Sequence, residues 1–336
     1  MIKNILVINS SKNNKQNLNN LFEKLKQKGY NFFFEKKLSL ILKRKVDLII
    51  CFNLKEKILI TLIAKIFKIK IIWIEFPGFD YKKIIKPFFW LYKFNSKFAQ
   101  ILVFTEATKN NLQKLKIKNI KIIPAGIELK NSEYQDNIFN KLAESKNNNF
   151  NKKYFTIGTV VDLNNNQKIE NLFQAVKICL TIIPNIQLII IGDGEERKNL
   201  IWLSKKMQID NLVWFVGGQS EKQANLKKWL NSFDLFITAN KNLNFIDLNI
   251  LLMVMESGLP IISFDDLGIE NIIDNKSGAT IKANDNKALA DEIIKLYQDK
   301  RLRYEIGKNA KKRVCEYFSI DKMAEELIFI ISQTIN

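Results

Sequence analysis

The stretch "YFTIGTVVDLNNNQKIENLFQAV", residues 154–176, opens on an apolar run rich in β-formers, breaks at a polar turn, and closes on apolar residues at helical spacing. Read as strand, turn and helix, it restarts a pattern that the first 130 residues have already run through once. Upstream, "KNILVIN", "YNFFFE", "VDLIICF", "KIIWIEF", "QILVFT" and "KIIPAGI" are short and strand-like. Amphipathic stretches such as "NLNNLFEKLKQKG" and "ATKNNLQKLK" lie between them. Downstream come "IQLIIIG", "NLVWFVG", "DLFIT" and "PIISF", separated by "ERKNLIWLSKKM" and "ANLKKWLNSF". Strand and helix alternating through two such runs predict two doubly wound, Rossmann-like α/β domains.

Length supports the division, because 336 residues exceed what one ordinary core carries. Residues 131–153 are polar and Asn-rich without strand character, with room for a short helix near "NIFNKLAES". They mark a linker between a domain at 1–130 and a second at 154–318. The last two helical stretches are "RLRYEIGKNAKKRVCEYF" and "SIDKMAEELIFIISQ", with Ser319 placed as N-cap of the second, residues 319–336.

Composition removes several chemistries. Hydrophobic residues make up 47% of the chain, ample for burial, so disorder is not the default. There is no histidine, which excludes His-based general bases, Ser-His-Asp triads and His-ligated metals. Cys51, Cys179 and Cys315 are odd in number and widely spaced, as reduced core thiols are, and form neither a disulfide framework nor a zinc motif. The opening "MIKNILVINSS" reads as a first strand rather than a signal peptide. Lysines interrupt "ILITLIAKIFKIKIIWIEF" before it reaches the roughly 18–20 apolar residues that a membrane span needs, so no span is expected, and the cysteine pattern suits a cytosolic protein.

Charge is divided unevenly. The net charge is +19, and residues 1–130 carry 27 Lys or Arg against 8 Asp or Glu, while the remainder is balanced. An anionic partner for the first half follows: a membrane surface, an acidic substrate or nucleic acid. Nucleic acid is the weakest of these, since no reading module is recognisable. Residues 81–98, "YKKIIKPFFWLYKFNSKF", interleave lysines with bulky aromatics, the composition of an interfacial helix and equally of a buried core helix. Lys82, Lys83, Lys86 and Lys93 would face an anionic membrane in the first case, by electrostatic attraction.

The second half also carries a resemblance. "YFTIGTVVDLNNNQKIENLFQAV", "IQLIIIGDGEERKNL", "NLVWFVGG", "ESGLPIIS", "GIENIIDNKSGATIKANDNKALADEIIKLYQD" and "RLRYEIGKNAKKRV" follow in the order and spacing of a donor-binding domain. Together they resemble the family-4 retaining glycosyltransferases of the GT-B fold, and "ILVFTEATKNNLQKLKIKNIKIIPAGIEL" resembles the end of their acceptor domain. The resemblance implies two Rossmann-like domains facing a cleft, with a C-terminal helix packing back on the first. It implies a nucleoside-diphosphate sugar held by the second domain, and retaining, hexosyl-type transfer to an acceptor on the first. An envelope-glycan or lipid-linked acceptor at the inner membrane face fits the basic half. No metal or other cofactor is called for.

Carried over by position, the family's pattern is depleted here. Its two motif glutamates fall on Phe245 and Met253, Met253 taking the place of the usual ribose ligand. The usual arginine falls on Asp162, and Lys168 takes the place of the phosphate-binding lysine, or is a surface lysine before a helix. Gly192 and Gly194 allow a sharp turn beside the cleft, and Gly217 and Gly218 leave backbone open to a base. A helix N-terminus near Asp247, Leu248 and Asn249 would offer N–H groups to a diphosphate, with Asp247 either a substitute carboxylate or an N-cap. The loop at 9–17 lacks the family's glycines, and Glu75 and Asp80 are candidate carboxylates on the acceptor side. An enzyme and a non-catalytic pseudoglycosyltransferase that binds glycan or partners an active enzyme both remain open.

Overall fold

Twelve parallel-paired strands in two six-stranded sheets organise the computed structural model, which describes residues 3–8, 15–34, 46–129, 154–164, 167–217, 223–240 and 242–335. The proposed linker at 131–153, most of the 9–17 loop, Gly218 and the side chain of Lys82 lie outside the described residues. The chain divides into two compact units, residues 1–128 with 317–336, and residues 129–316.

In the first unit the strands are β1 (Lys3–Ile8), β2 (Tyr30–Phe33), β3 (Leu48–Cys51), β4 (Lys70–Glu75), β5 (Gln100–Val103) and β6 (Ile120–Ile122). They lie in the order β2-β1-β3-β4-β5-β6, all parallel. Helices α1 (Lys15–Gln27), α2 (Leu54–Ile66), α3 (Lys86–Asn95) and α4 (Glu106–Lys114) connect them. Central strands of a parallel sheet are covered on both faces, which is why "LIIC" is apolar throughout and wholly buried.

In the second unit β7 (Phe155–Val160), β8 (Ile186–Ile191), β9 (Val213–Val216), β10 (Leu235–Ile237), β11 (Ile261–Phe264) and β12 (Ala279–Ile281) are ordered β12-β11-β10-β7-β8-β9. The helices are α5 (Gln167–Cys179), α6 (Arg197–Lys206), α7 (Gln223–Leu230), α8 (Phe245–Glu256), α9 (Asn286–Gln298) and α10 (Lys300–Tyr317). Ile157, Leu188, Phe173, Val176, Ile237 and Ile293 are among the side chains of its core.

The last helix, α11 (Ile320–Ile335), packs on α1 within the first unit. Ser319 caps it, accepting from the Lys322 N–H at 3.2 Å. Ile127 brackets the same turn: its N–H donates to Phe318 O at 3.0 Å, and its carbonyl accepts from Ile320 N at 2.9 Å. Among the described residues no helix is long and apolar enough to cross a membrane.

Candidate functional site

In an open parallel sheet, ligands bind beyond the carboxyl ends of the strands where the strand order reverses. In the second unit that point lies between β7 and β10, since β8 and β9 follow to one side and β11 and β12 to the other. The polar groups delivered there are Thr159 at the end of β7 and Asp162 after it, and Thr238 and Asn240 after β10. Thr159 Oγ1 and Thr238 Oγ1 are buried without a hydrogen-bond partner among the described residues. The signal that marks them in sequence is a threonine at the carboxyl end of a largely apolar strand ("TIGTV", "FITAN").

Helix α8 begins just beyond. Asn244 is its N-cap: its Oδ1 accepts from Ile246 N at 2.7 Å and from Asp247 N at 3.0 Å. Asp247 completes a capping box by accepting from Asn244 N at 2.9 Å. This corrects the expected helix start. Leu248 N already donates to Asn244 O at 3.0 Å, and Asn249 lies a turn inside the helix. The N–H groups expected to meet a diphosphate at Leu248 and Asn249 therefore belong to the helix ladder. Asp247 is the third residue of the helix rather than its N-cap.

Ten of the twelve residues of α8 are buried. Phe245 and Met253 are 6% and 7% exposed, so both motif-glutamate places are filled by sequestered apolar side chains. The Leu248 side chain is wholly buried in the core. Asn249 Nδ2 donates to Phe245 O at 2.9 Å, while its Oδ1 is buried without a partner among the described residues.

The electrostatics here are acidic. Burial first, then repulsion from Asp162, raises the Asp247 carboxyl to about 6 against the bonds it accepts from Asn244 and Asn240. Between about pH 4 and 6 the folded state holds a proton that the unfolded chain has lost. Stability therefore falls as pH rises through that window, and the penalty is complete above it. Asp247→Asn keeps an acceptor for Asn244 N and removes the charge. Its unfolding free energy from urea melts should exceed that of the parent by about 2–3 kcal/mol at pH 8 and converge on it as pH falls to about 3. An equal difference at both pH values would refute this.

Lys168 sits at the start of α5 with Nζ 2.6 Å from Asp266 Oδ1 and 4.9 Å from the Phe264 ring centre. Burial lowers its pKa, and Asp266 and Asp265 oppose the shift. It is a buried, paired cation that ties α5 to the end of β11, rather than a surface lysine. Gly192 and Gly194 have φ of +155° and +158°. They run against the loop after β7: Val161 N donates to Ile191 O at 3.0 Å and Leu163 N to Asp193 O at 3.1 Å. Gly217 is half-buried, and a Cβ there would meet nothing within 4 Å.

The first unit's candidates are dispersed. Glu75 is 3% exposed and saturated: Lys57 Nζ lies 2.8 Å from Oε1, Tyr92 OH donates to Oε1 at 2.8 Å, and Tyr81 OH to Oε2 at 3.3 Å. Burial and then Glu75 push both phenols well above their ordinary range, so they remain donors. Glu75 is thereby an anchor for three elements. Asp80 is exposed, 3.9 Å from Lys83 Nζ. Lys83 and Lys86 are exposed, and Lys93 is half-buried.

Two parallel six-stranded sheets flanked by helices define the GT-B fold. The crystal structure of Anabaena Alr3699/HepE in complex with UDP superposes with a TM-score of 0.75 at 14% identity, covering 99% of this chain and 100% of that one. Residues 140–313 match the family model of the glycosyl transferases group 1, and the chain belongs to that family. N-acetyl-alpha-D-glucosaminyl L-malate synthase of Bacillus anthracis is 26% identical over 170 residues, 50% of this chain and 43% of the relative. The capsular polysaccharide biosynthesis glycosyltransferase CapM of Staphylococcus aureus is 28% identical over 195 residues, 56% of this chain and 48% of CapM. The chain thus spans about half the length of these relatives.

Proposed function

We propose that this chain transfers a hexosyl-type sugar from a nucleoside-diphosphate sugar to an envelope-glycan or lipid-linked acceptor, with retention, while seated peripherally on the cytosolic face of a membrane. Family membership across the second unit, with that unit's switch point intact, carries the reading. The UDP complex of Alr3699/HepE and the capsular role named for CapM supply the donor class and the acceptor class. Transfer breaks the bond between the anomeric carbon and the diphosphate oxygen and forms one to an acceptor hydroxyl oxygen, whose proton leaves with the diphosphate. The reading calls for no metal or cofactor.

The diphosphate needs a cation, and Lys168 can supply one by exchanging Asp266 for a phosphate oxygen. Such a charge-assisted bond contributes about 1–3 kcal/mol, so Lys168→Ala should weaken UDP binding about 5- to 150-fold by calorimetry. Asp266→Asn, which leaves the lysine in place without its carboxylate, should not weaken it. A thermal-shift screen of the intact chain against UDP, GDP, ADP and their sugars tests the donor reading, since a ligand of the native state raises its melting point. No shift at millimolar concentration would remove it.

Phe245 and Met253 favour a second reading, a non-catalytic pseudoglycosyltransferase that binds glycan or partners an active enzyme. Phe245 has no acceptor for a sugar hydroxyl and Met253 only a weak thioether one for a ribose hydroxyl, and both are buried. Nucleotide binding without release of UDP from any UDP-sugar in the presence of acceptor lipid would select it.

A further inference from the structure

We propose that α2 and α3 of the first unit together form a bilayer-docking face whose apolar side chains insert among anionic lipids. The proposal rests on the membrane-face reading above and names the surface that performs it. Sequence pattern pointed only to residues 81–98 and to their lysines. The structure adds α2, where Leu59, Leu62 and Ile66 are 62%, 37% and 76% exposed at positions i, i+3 and i+7, one stripe of the helix. On α3, Phe88, Trp90, Leu91 and Phe94 are 51%, 68%, 40% and 47% exposed. The two helices touch, and Lys65 of α2 lies with Nζ 4.0 Å from the Phe98 ring centre and 5.6 Å from that of Phe94, joining the stripes. A water-soluble surface rarely leaves so many large apolar side chains contiguous without a use for them.

The face is built rather than frayed. Beneath it Lys57 of α2 pairs with Glu75, which Tyr92 of α3 also holds, and Asn95 Nδ2 of α3 donates to Ile58 O of α2 at 2.8 Å. Trp73 stacks on Tyr92 with ring centres 5.1 Å apart and donates to Thr61 Oγ1 at 3.0 Å. The helices that carry the outward side chains are therefore seated on a buried polar core.

Charge selects the occupant. Residues 54–98 carry 10 lysines and 3 acidic residues, and Lys55, Lys65, Lys68, Lys83, Lys86 and Lys97 are exposed. A second copy seated on this face by two-fold symmetry would set that lysine-rich surface against itself. Anionic headgroups complement it, while lysine stems and aromatic rings lie along the boundary between headgroup and acyl chain.

The test is co-sedimentation of the full chain with phosphatidylglycerol–phosphatidylcholine vesicles at low and high salt. Wild type should bind, and part of that binding should survive about 0.5 M salt, where headgroup attraction is largely screened. Ile66→Glu combined with Trp90→Glu should lower partitioning about 100-fold or more at either salt. Both positions face solvent, so an unchanged melting curve will show that the variant folds. Trp90 emission should shift to the blue on binding, a signal that Trp90→Phe removes while still sedimenting with vesicles. Wild-type partitioning by the Ile66→Glu, Trp90→Glu variant would overturn the proposal. So would failure to bind vesicles together with a dimer that Ile66→Glu dissociates, which would assign the face to a second copy. Vesicle binding without nucleotide binding would sink the donor reading and leave the docking face standing.

Discussion

Glu75→Ala should destabilise the first unit by about 3–5 kcal/mol, the cost of leaving one member of a buried ion pair without its partner. The alanine variant strands the Lys57 ammonium, which is 3% exposed and among the described residues keeps only the Ile74 carbonyl at 2.8 Å, together with the hydroxyls of Tyr81 and Tyr92. Those phenols cannot ionise to compensate, because burial holds them protonated. Replacing the pair by a matched apolar one, Lys57→Met with Glu75→Leu, should recover the part of the loss due to the stranded ammonium, since the desolvation cost of both charges goes with them, while the two phenols still lack their acceptor. Urea unfolding of the three variants measures this, and a single-variant loss under about 1 kcal/mol would defeat it. The same measurement separates two roles for Glu75. A carboxylate serving chemistry would lower activity in the double variant despite restored stability. An anchor would restore vesicle binding along with stability, since α3 would again be seated.

What the sequence disclosed and what it hid follow from how each element meets solvent. Strands such as "IQLIII" and "LIIC" are buried on both faces, so they read as nearly continuous apolar runs and were placed directly. Helix α2 fails the usual test for a soluble helix because both of its faces are apolar, one against the sheet and one toward solvent. Its run therefore merged with β4 into one hydrophobic stretch, and its surface stripe could not be seen. The short edge strand β12 escaped notice among polar neighbours for the opposite reason. In the site, the places of Phe245 and Met253 were found by counting back from "GLP". The helix start was misplaced by two or three residues, although "NFID" holds the Asn-x-x-Asp spacing of the capping box that fixes it. Pairings across long separations, Lys168 with Asp266 and Lys57 with Glu75, leave no local pattern and needed the fold.

Gly192→Ala should cost the second unit about 3–5 kcal/mol, whereas Gly217→Ala should change it by less than about 1 kcal/mol. Both glycines follow sheet strands and look alike in sequence, but only one is under constraint. At Gly192, φ is +155°, a conformation L side chains rarely adopt, and an added Cβ would overlap the Val161 carbonyl oxygen. That oxygen is backbone and cannot step aside. Val161 N is itself bonded to Ile191 O, and Gly192 N to Val216 O, so relief at one point breaks bonds at the others. Gly194 repeats the crossing, with an added Cβ 2.6 Å from the Leu163 carbonyl carbon, so the turn after β8 is clamped to the loop after β7 along its length. Around Gly217 there is open space. Guanidinium unfolding at fixed pH would show the contrast, and equal midpoints for the two variants would refute it. The clamp also bears on the site, because the loop it holds carries Asp162, whose charge adds to burial, the larger cause, in raising the Asp247 carboxyl to about 6. A Gly192→Ala chain that still folds should therefore lower the Asp247 pKa by only the part that Asp162 contributes, burial keeping the rest, while Gly217→Ala should leave that titration where it is.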